Sequence, residues 1–520
     1  MTEFVLAIEW NGFEKDKYVH TVLEDNILPP YIAQCRWFAG KARQIKQLKV
    51  KSAIHLSDFV FMIFEAKYQE GDSELYLLPL AFIEDGIQEI PEKGILCKAN
   101  MSEKNGLLVD AIYDENFRSA LYSGIYGQKQ IEQLNNDSLL FGRGKAMIAE
   151  SEVAERRPVV SYLPNVDSSN SAMIFDNKYF LKLYRKIFAE TNPEAEMVEF
   201  ITQNSDFKNI PRFAGSITWK RADEPEITFG VMVEVIESKQ DDWSLTGDYL
   251  NDFMEAFVDG NFQIKENVFD KVAQLAIRTA EMHKSLFALR GAEAFNAEPF
   301  DRQYRRYLHE KFEILLEKRY NLLTDNYLQL DEQAQALAWR FMEAKDLILD
   351  FIDQVLTRPL FSYRTRIHGD YHLGQVLATE DDLIIIDFEG EPESTIAERK
   401  IKHSPLKDVA GMIRSYHYAV SAKLFNSEET SKIDPIVLQR AADRWYKLIK
   451  DTYLEEYLAV FGTPHPLFKD TNEINYLLLF HLLEKAIYEI GYEVNYRPTW
   501  VKIPLKGIAE VLEEVEKLRR

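Results

Sequence analysis

Apolar and polar positions change their spacing twice along this chain. Up to about residue 105 the apolar residues alternate or cluster in short runs such as 59–68 (FVFMIFEAKY) and 74–83 (ELYLLPLAFI). The turns Glu70-Gly71-Asp72 and Glu84-Asp85-Gly86 bound them, which predicts a meander of strands behind a short helical lead-in. The next stretch opens with helical text over 107–125 and then reads as a hairpin, with 172–175 and 179–184 flanking the turn tripeptide Asp176-Asn177-Lys178. Asn192 as N-cap and Pro193 at the first helical position start a helix, and 229–236 (FGVMVEVI) reads as a strand. From 237 onward the spacing is mostly 3.6 residues, as over 330–356, with one island of strand text at 361–390. The predicted order is a β-rich cap over 1–105, a small sheet-plus-helix subdomain over 106–236 and a large helical lobe over 237–520. Unequal lobes joined by a short strand predict a cleft, a favoured place for a ligand.

Composition narrows the class. A chain of 520 residues has room for several domains, and 46% hydrophobic residues exclude a disordered or fibrous chain. With 62 Lys+Arg against 84 Asp+Glu the net charge is −22, which repels polyanions and argues against a nucleic-acid partner or an anionic membrane surface. Cys35 and Cys97 supply no disulfide framework and suit a reducing cytoplasm. The start MTEFVLAIEW lacks the positive region of a signal peptide, and no run approaches the ~18 apolar residues of a membrane span. The triplet Asn136-Asp137-Ser138 reads as chance in a chain without an export signal. The expectation is a cytoplasmic enzyme.

The densest chemistry lies in Ile367-His368-Gly369-Asp370-Tyr371-His372-Leu373-Gly374-Gln375 and in Asp387-Phe388-Glu389-Gly390-Glu391. Leu383 and three isoleucines precede Asp387, so this carboxylate stands at the mouth of an apolar strand, where it needs a cation or a donor. Asp387, Glu389 and the Gln375 amide oxygen are the hard ligands that suit Mg²⁺. The spacing matches the kinase catalytic loop and its metal-binding Asp, with Gln375 in the Asn position and Glu389 in the Gly position. Asp370 then accepts the proton of an attacking hydroxyl. A polar turn with solvated acids is the competing reading, and the ordered set outweighs it. Zinc on His368 and His372 lacks a third His or Cys nearby. Gly142-Arg143-Gly144-Lys145-Ala146 lacks the first glycine and the hydroxyl residue of a P-loop.

A kinase also needs a phosphate grip. Lys182 lies in a strand apolar on both faces, either at a solvated edge or aimed at an anion, and Glu196 on the next helix stands at pairing distance. Ser168, Ser169, Asn170 and Ser171 occupy the place of a Gly-rich loop, without a glycine. The strand 229–236 is the expected hinge, with the backbone of Val233 and Val235 reading adenine and Glu234 as an edge residue.

At this point the chain resembles the maltokinase family, in the aminoglycoside-phosphotransferase-like branch of the protein-kinase fold. The resemblance rests on Arg36-Trp37-Phe38-Ala39-Gly40-Lys41, Phe180-Leu181-Lys182-Leu183-Tyr184-Arg185 and Asn192-Pro193-Glu194-Ala195-Glu196. It continues in the two motifs above and in Lys402-His403-Ser404-Pro405-Leu406-Lys407-Asp408-Val409-Ala410-Gly411-Met412. It implies a bilobal α+β fold with an N-terminal cap, and Mg²⁺-ATP-dependent phosphorylation of maltose at its anomeric hydroxyl, feeding a trehalose-to-α-glucan route with association to trehalose synthase. Other acceptors in the same class are glucosamine, glucose, trehalose and aminoglycosides; a non-catalytic nucleotide-binding module is the reading outside it. The family places sugar-binding residues near the tail, where Lys485, Tyr488, Glu489 and Tyr492 share a helix face and Arg497 follows. Without the resemblance, a Lys485–Glu489 surface pair beside core tyrosines is the better account of that stripe. His372 is expected beside the acceptor, and Asp408 as a brace beneath the catalytic loop.

Overall fold

A computed structural model describes residues 5–519 apart from 134–135, 149–158, 166–168, 259, 289–290, 427–432 and 463. Ser168 lies outside the described residues. The chain separates into two compact units, Met1–Asn204 with Pro211–Ile236, and Ser205–Ile210 with Glu237–Arg520.

The first unit holds two seven-stranded sheets. In one, the strands follow the spatial order Val5–Ala7, Ile95–Met101, Lys104–Asp110, Glu74–Glu84, Phe59–Tyr68 and Ile45–Leu56, and Lys186–Ile187 adds to Glu74–Glu84. Strand Phe59–Tyr68 is almost continuously apolar because both its faces are covered. Val60, Met62, Phe64 and Ala66 enter a core with Leu23, Leu28, Ile32 and Phe38. Phe61 turns the other way, against Phe117 and Phe229, with ring centroids 5.6 and 5.4 Å apart. The text over 107–125 forms a 3-10 turn at Ala111–Tyr113 and is α-helical only from Glu115, where Asp114 accepts from the Asn116 amide at 2.8 Å. Its first residues complete strand Lys104–Asp110, because pairing on both sides overrides the local period.

The second sheet contains the expected hairpin, Ser171–Phe175 against Tyr179–Leu183, with Phe175 opposite Tyr179. Asp176 and Asn177 adopt φ of 50° and 55°, a left-handed turn that Asp and Asn tolerate best after glycine. Strand Ile227–Glu234 pairs with Tyr179–Leu183 on one side and Phe213–Lys220 on the other.

A fully buried ion pair ties the first sheet to the chain around the hairpin. Arg185 Nη2 reaches Asp110 Oδ2 at 2.6 Å, with side chains 0% and 1% exposed. Tyr31 adds a hydroxyl to the same carboxylate oxygen at 3.2 Å. Arg185 also donates to Ser171 Oγ at 2.7 Å, receives the Leu77 amide on its carbonyl and lies over the Trp37 ring.

The second unit is mainly helical, with a small sheet of Gln240–Asp241, Val376–Ala378 and Leu383–Ile385. Asn209 fastens the last strand by accepting the Ile385 amide at 2.8 Å and donating to the Leu383 carbonyl at 2.9 Å. The text over 330–356 forms two helices, Glu332–Glu343 and Lys345–Thr357. Helix Thr471–Tyr496, capped by Asp470, is apolar almost all round because it packs among helices Arg302–Asn326, Leu406–Asn426 and Lys502–Arg519. Among the described residues no helix is long and apolar enough to cross a membrane.

Removing one member of a buried pair strands the other charge. Asp110→Ala should therefore lower unfolding free energy by about 3–5 kcal/mol in denaturant melts; a loss below about 1 kcal/mol would show that Arg185 is held by its other contacts. A pH effect follows from Asp242, whose carboxyl burial pushes up to about 7, with Lys271 opposing and Asp241 adding to the rise. A folded pKa above the unfolded value of ~3.9 gives stability that is complete at acid pH and lost as pH rises to about 7. Asp242→Asn, uncharged throughout, should gain stability over the wild type across pH 4–7 and hold that gain at pH 8.

Candidate active site

In the second unit the two motif loops meet through glycines. Gly369 and Gly390 have φ of 87° and 78°, and a Cβ on Gly369 would lie 3.3 Å from the Gly390 Cα. Any side chain there would drive the loops apart. Asp387 itself sits at φ 65°, a strained conformation for a residue with a side chain and typical of functional sites. Gln375 Nε2 lies 3.2 Å from Asp387 Oδ2, so two of the expected metal ligands adjoin. Glu389 brings a carboxylate oxygen within 4.8 Å of one of Asp387 and also lies 3.9 Å from the Arg399 guanidinium.

Asp408 holds the first loop from below. Its two oxygens accept the amides of His368 and Gly369 at 2.7 and 2.9 Å, and His283 Nε2 lies 3.0 Å from Oδ2. Burial would raise this carboxyl, yet the His283 contact and the loop amides outweigh it and hold it below the ordinary carboxylate range. His368 is buried and its Nε2 meets the Ile386 carbonyl at 2.8 Å, linking the loops. His372 uses Nδ1 to accept the Gly374 amide at 3.1 Å, and burial lowers its pKa against the pull of Asp370. It caps the short turn Leu373–Gln375 and, like Asp370, lies outside the lining of the cavity described below.

The tail helix brings Lys485 to this loop. Its Nζ lies 3.7 Å from Asp370 Oδ1 and 3.4 Å from Glu391 Oε2, and the Tyr488 hydroxyl donates to Glu391 Oε1 at 2.9 Å. Burial alone would lower the Lys485 pKa; Glu391 and Asp370 outweigh it and raise the pKa, keeping the cation charged. Gly369, Tyr371, Lys485 and Tyr488 line a cavity of about 410 Å³ that extends along helix Arg302–Asn326. Glu489, Tyr492 and Arg497 are not among its lining residues. Glu489 shares the helix face of Lys485 but is engaged elsewhere. It binds the buried Arg414 at 2.6 and 3.0 Å. Tyr492 sits half exposed beside Tyr496, under the Arg497 guanidinium, and Arg497 bonds Glu493 at 2.7 Å.

In the first unit Lys182 Nζ meets Glu194 Oε2 at 3.0 Å, and the Tyr184 hydroxyl donates to the same oxygen at 2.7 Å. The helix residue set against Lys182 is thus Glu194, which corrects the assignment to Glu196. Two residues apart on a helix differ by roughly 200°, so the helix aims one of the two at the lysine. The serine loop is also corrected. Ser171 is buried with its Oγ accepting from Arg185 Nε, and Asn170 Oδ1 accepts the Arg185 amide at 3.3 Å. Both serve Arg185; Ser169 alone of the three is exposed. Val233 lies in a strand paired on both sides, and the Val235 amide donates to the Lys178 carbonyl at 2.8 Å. Neither amide is therefore open to a base. Glu234 pairs with Arg212 in two bonds of 2.6 and 2.5 Å, as an edge residue. Sequence reasoning missed Glu194 and Glu391. Both stood inside quoted motifs, and only the donors that converge on them single them out.

Comparisons with known proteins bear on the cap and the fold. Residues 31–114 match the maltokinase N-terminal cap domain. A glucosamine kinase of Streptacidiphilus jiangxiensis is 23% identical over 356 residues, 67% of this chain and 73% of the relative. A glucosamine kinase of Mycolicibacterium smegmatis (strain ATCC 700084 / mc(2)155) is 23% identical over 352 residues, 67% and 79% of the two chains. The solved structure of a glucosamine kinase in complex with glucosamine, ADP and inorganic phosphate superposes with a TM-score of 0.65 at 16% identity, covering 93% of this chain and 98% of that one. The chain is thus maltokinase-like in its cap and has an α+β kinase-like fold.

The brace makes a prediction independent of any substrate. Asp408→Ala should speed amide hydrogen exchange at His368 and Gly369 by about ten- to a hundredfold, the worth of a charged hydrogen bond. Unchanged protection at both amides would show that the loop holds itself.

Proposed function

We propose that this protein is a sugar kinase that transfers the γ-phosphoryl group of ATP to the anomeric hydroxyl of maltose, giving maltose 1-phosphate and ADP. The observation that carries the reading is Lys485, which lines a cavity of about 410 Å³ together with Gly369 and Tyr371, the residues on either side of Asp370, and reaches both Asp370 and Glu391. The cavity volume falls in the range that holds ligands larger than one sugar ring. Six cationic and five carboxylate side chains line it together with Tyr307 and Tyr488. That mixture suits a neutral polyol, whose hydroxyls donate to carboxylates and accept from cations, with ring faces against the tyrosines. A cationic aminoglycoside would instead want a surplus of carboxylates, and Lys485 already offsets one of the two charges of Asp370 and Glu391. The cap match and the glucosamine-kinase fold support the same class.

In this reading Asp370 orients the acceptor hydroxyl and takes its proton as the oxygen bonds to the γ-phosphorus and the bond to the β–γ bridging oxygen breaks, releasing ADP. Lys182, positioned by Glu194, holds ATP phosphates. Asp387, Gln375 and Glu389 fit Mg²⁺ by donor type, and the 3.2 Å approach of Gln375 to Asp387 places two of them side by side. Turning the Gln375 amide over presents its oxygen to the same place. Bound Mg²⁺ supplies neutralisation of phosphate charge. Asp408 fixes the backbone that carries Asp370.

The test is ADP release with Mg²⁺-ATP across maltose, glucose, glucosamine, trehalose and an aminoglycoside, with phosphorus NMR locating the new ester. Maltose should give the highest kcat/KM and an ester at its anomeric carbon, and Asp370→Asn should lower kcat by about 10²–10⁴. A higher kcat/KM for glucosamine would replace the acceptor. Sugar-dependent turnover equal in wild type and Asp370→Asn would overturn the assignment of Asp370.

A further inference from the structure

The cavity contains a cation that the catalytic residues do not use. Arg319, on helix Arg302–Asn326, lines it and is half buried, and its Nε is buried without a hydrogen-bond partner. Among the described residues it forms no ion pair, unlike Lys311, Lys407 and Lys485 on the same walls. Burial lowers its pKa, with Glu393 opposing. A guanidinium left in this state is costly, because a buried donor without an acceptor forfeits its solvation. Its place is nevertheless built. Helix Thr471–Tyr496 carries Gly491 at the contact, where any Cβ would overlap the guanidinium carbon, and the Tyr488 ring lies 5.8 Å from that carbon.

Position along that helix gives a ruler. Lys485, which touches Asp370, and Gly491, which seats Arg319, are six residues apart, a rise of roughly 9 Å. The Tyr488 ring lies between them, 5.0 Å from Lys485 Nζ and 5.8 Å from the Arg319 guanidinium carbon, so the cavity wall carries polar groups and a ring face beyond the ring that would meet Asp370. We propose that Arg319 is a specificity-determining residue, whose guanidinium fork takes the hydroxyls of the distal, non-reacting ring of a disaccharide while the other ring lies against Asp370. The inference rests on the sugar-kinase reading of the same cavity. A neutral ring fits better than an anionic head, because Glu391, Glu393 and Glu398 share the walls. A cationic one would meet Arg319 and Lys485 together.

The experiment compares wild type, Arg319→Ala, Arg319→Lys and Gly491→Ala on maltose and glucose, with maltose binding by calorimetry and thermal melts to establish folding. Arg319→Ala should raise KM for maltose about tenfold or more, weaken maltose binding in step, and lower the maltose-to-glucose ratio of kcat/KM by a similar factor. Gly491→Ala should move in the same direction by displacing the guanidinium, so the test stands even where Arg319→Ala fails to fold. Arg319→Lys keeps the charge without the fork and should fall between. Equal losses on both sugars, or an unmoved ratio with a wild type that prefers maltose, would overturn the role of Arg319 while leaving the kinase reading intact. A wild type that turns over no sugar, or monosaccharides alone, would overturn it together with the disaccharide acceptor.

Discussion

The Asp408 carboxylate is the constraint on which the candidate site depends. A loop that presents an acid to a substrate cannot also form regular secondary structure, so its amides need partners from elsewhere. Asp408 supplies both oxygens to the amides of His368 and Gly369, immediately before Asp370. It is itself fixed by His283, whose other nitrogen meets the Tyr457 hydroxyl at 2.8 Å. Helices Glu266–Ser285, Leu406–Asn426 and Pro435–Phe461 thus converge on one carboxylate, and rigidity of the helical core passes into the loop. His368 carries it onward to Ile386, one residue before the strained Asp387. Strain of that kind persists only where the surroundings over-determine the backbone, and here they do.

The first unit solves an equivalent problem with a buried ion pair. The cap sheet and the chain leaving the hairpin have little reason to stay in register by apolar contact alone, since burial is not directional. Arg185 is directional: it engages Asp110, Ser171 and Leu77 at once and is covered by Trp37. Replacing such a pair with apolar residues is often neutral for stability, so its worth lies in fixing one arrangement among several. Strand Lys186–Ile187, which follows Arg185 directly, then extends the cap sheet on Glu74–Glu84.

Much of this was legible in the chain because it is local. The hairpin, the helix behind Asn192 and Pro193, and the apolar strand before Asp387 are each set by spacing within a dozen residues. The adjacency of Gln375 and Asp387, and the brace at Asp408, followed from motif order. What escaped depends on distant partners. Ser171 and Asn170 read as a phosphate loop because Arg185, fourteen and fifteen residues on, gave no sign that it would claim them. Glu194 and Glu196 are equivalent in text, and helix azimuth separates them. Glu489 looked like part of a sugar stripe until Arg414, 75 residues earlier in sequence, took it. The helical reading of the residues before helix Glu115–Tyr126 failed for the same reason, since pairing on both sides outweighs a local period.

Net charge and the charge inside the cavity act on a ligand at different ranges. A net charge of −22 favours cationic ligands at long range, which would select an amino sugar if steering decided the matter. At contact distance the sum over the surface no longer matters, because fields between exposed charges are screened within about 8–10 Å at ordinary salt. The cavity beside Asp370 has its own composition, six cations against five carboxylates, and Lys485 stands against the acid that would otherwise attract an amine. Acidity on the outside and near-balance within are compatible because they act at different ranges. The outer charge governs solubility and encounter; the inner balance rewards a ligand that can donate and accept at every position without bringing a charge of its own.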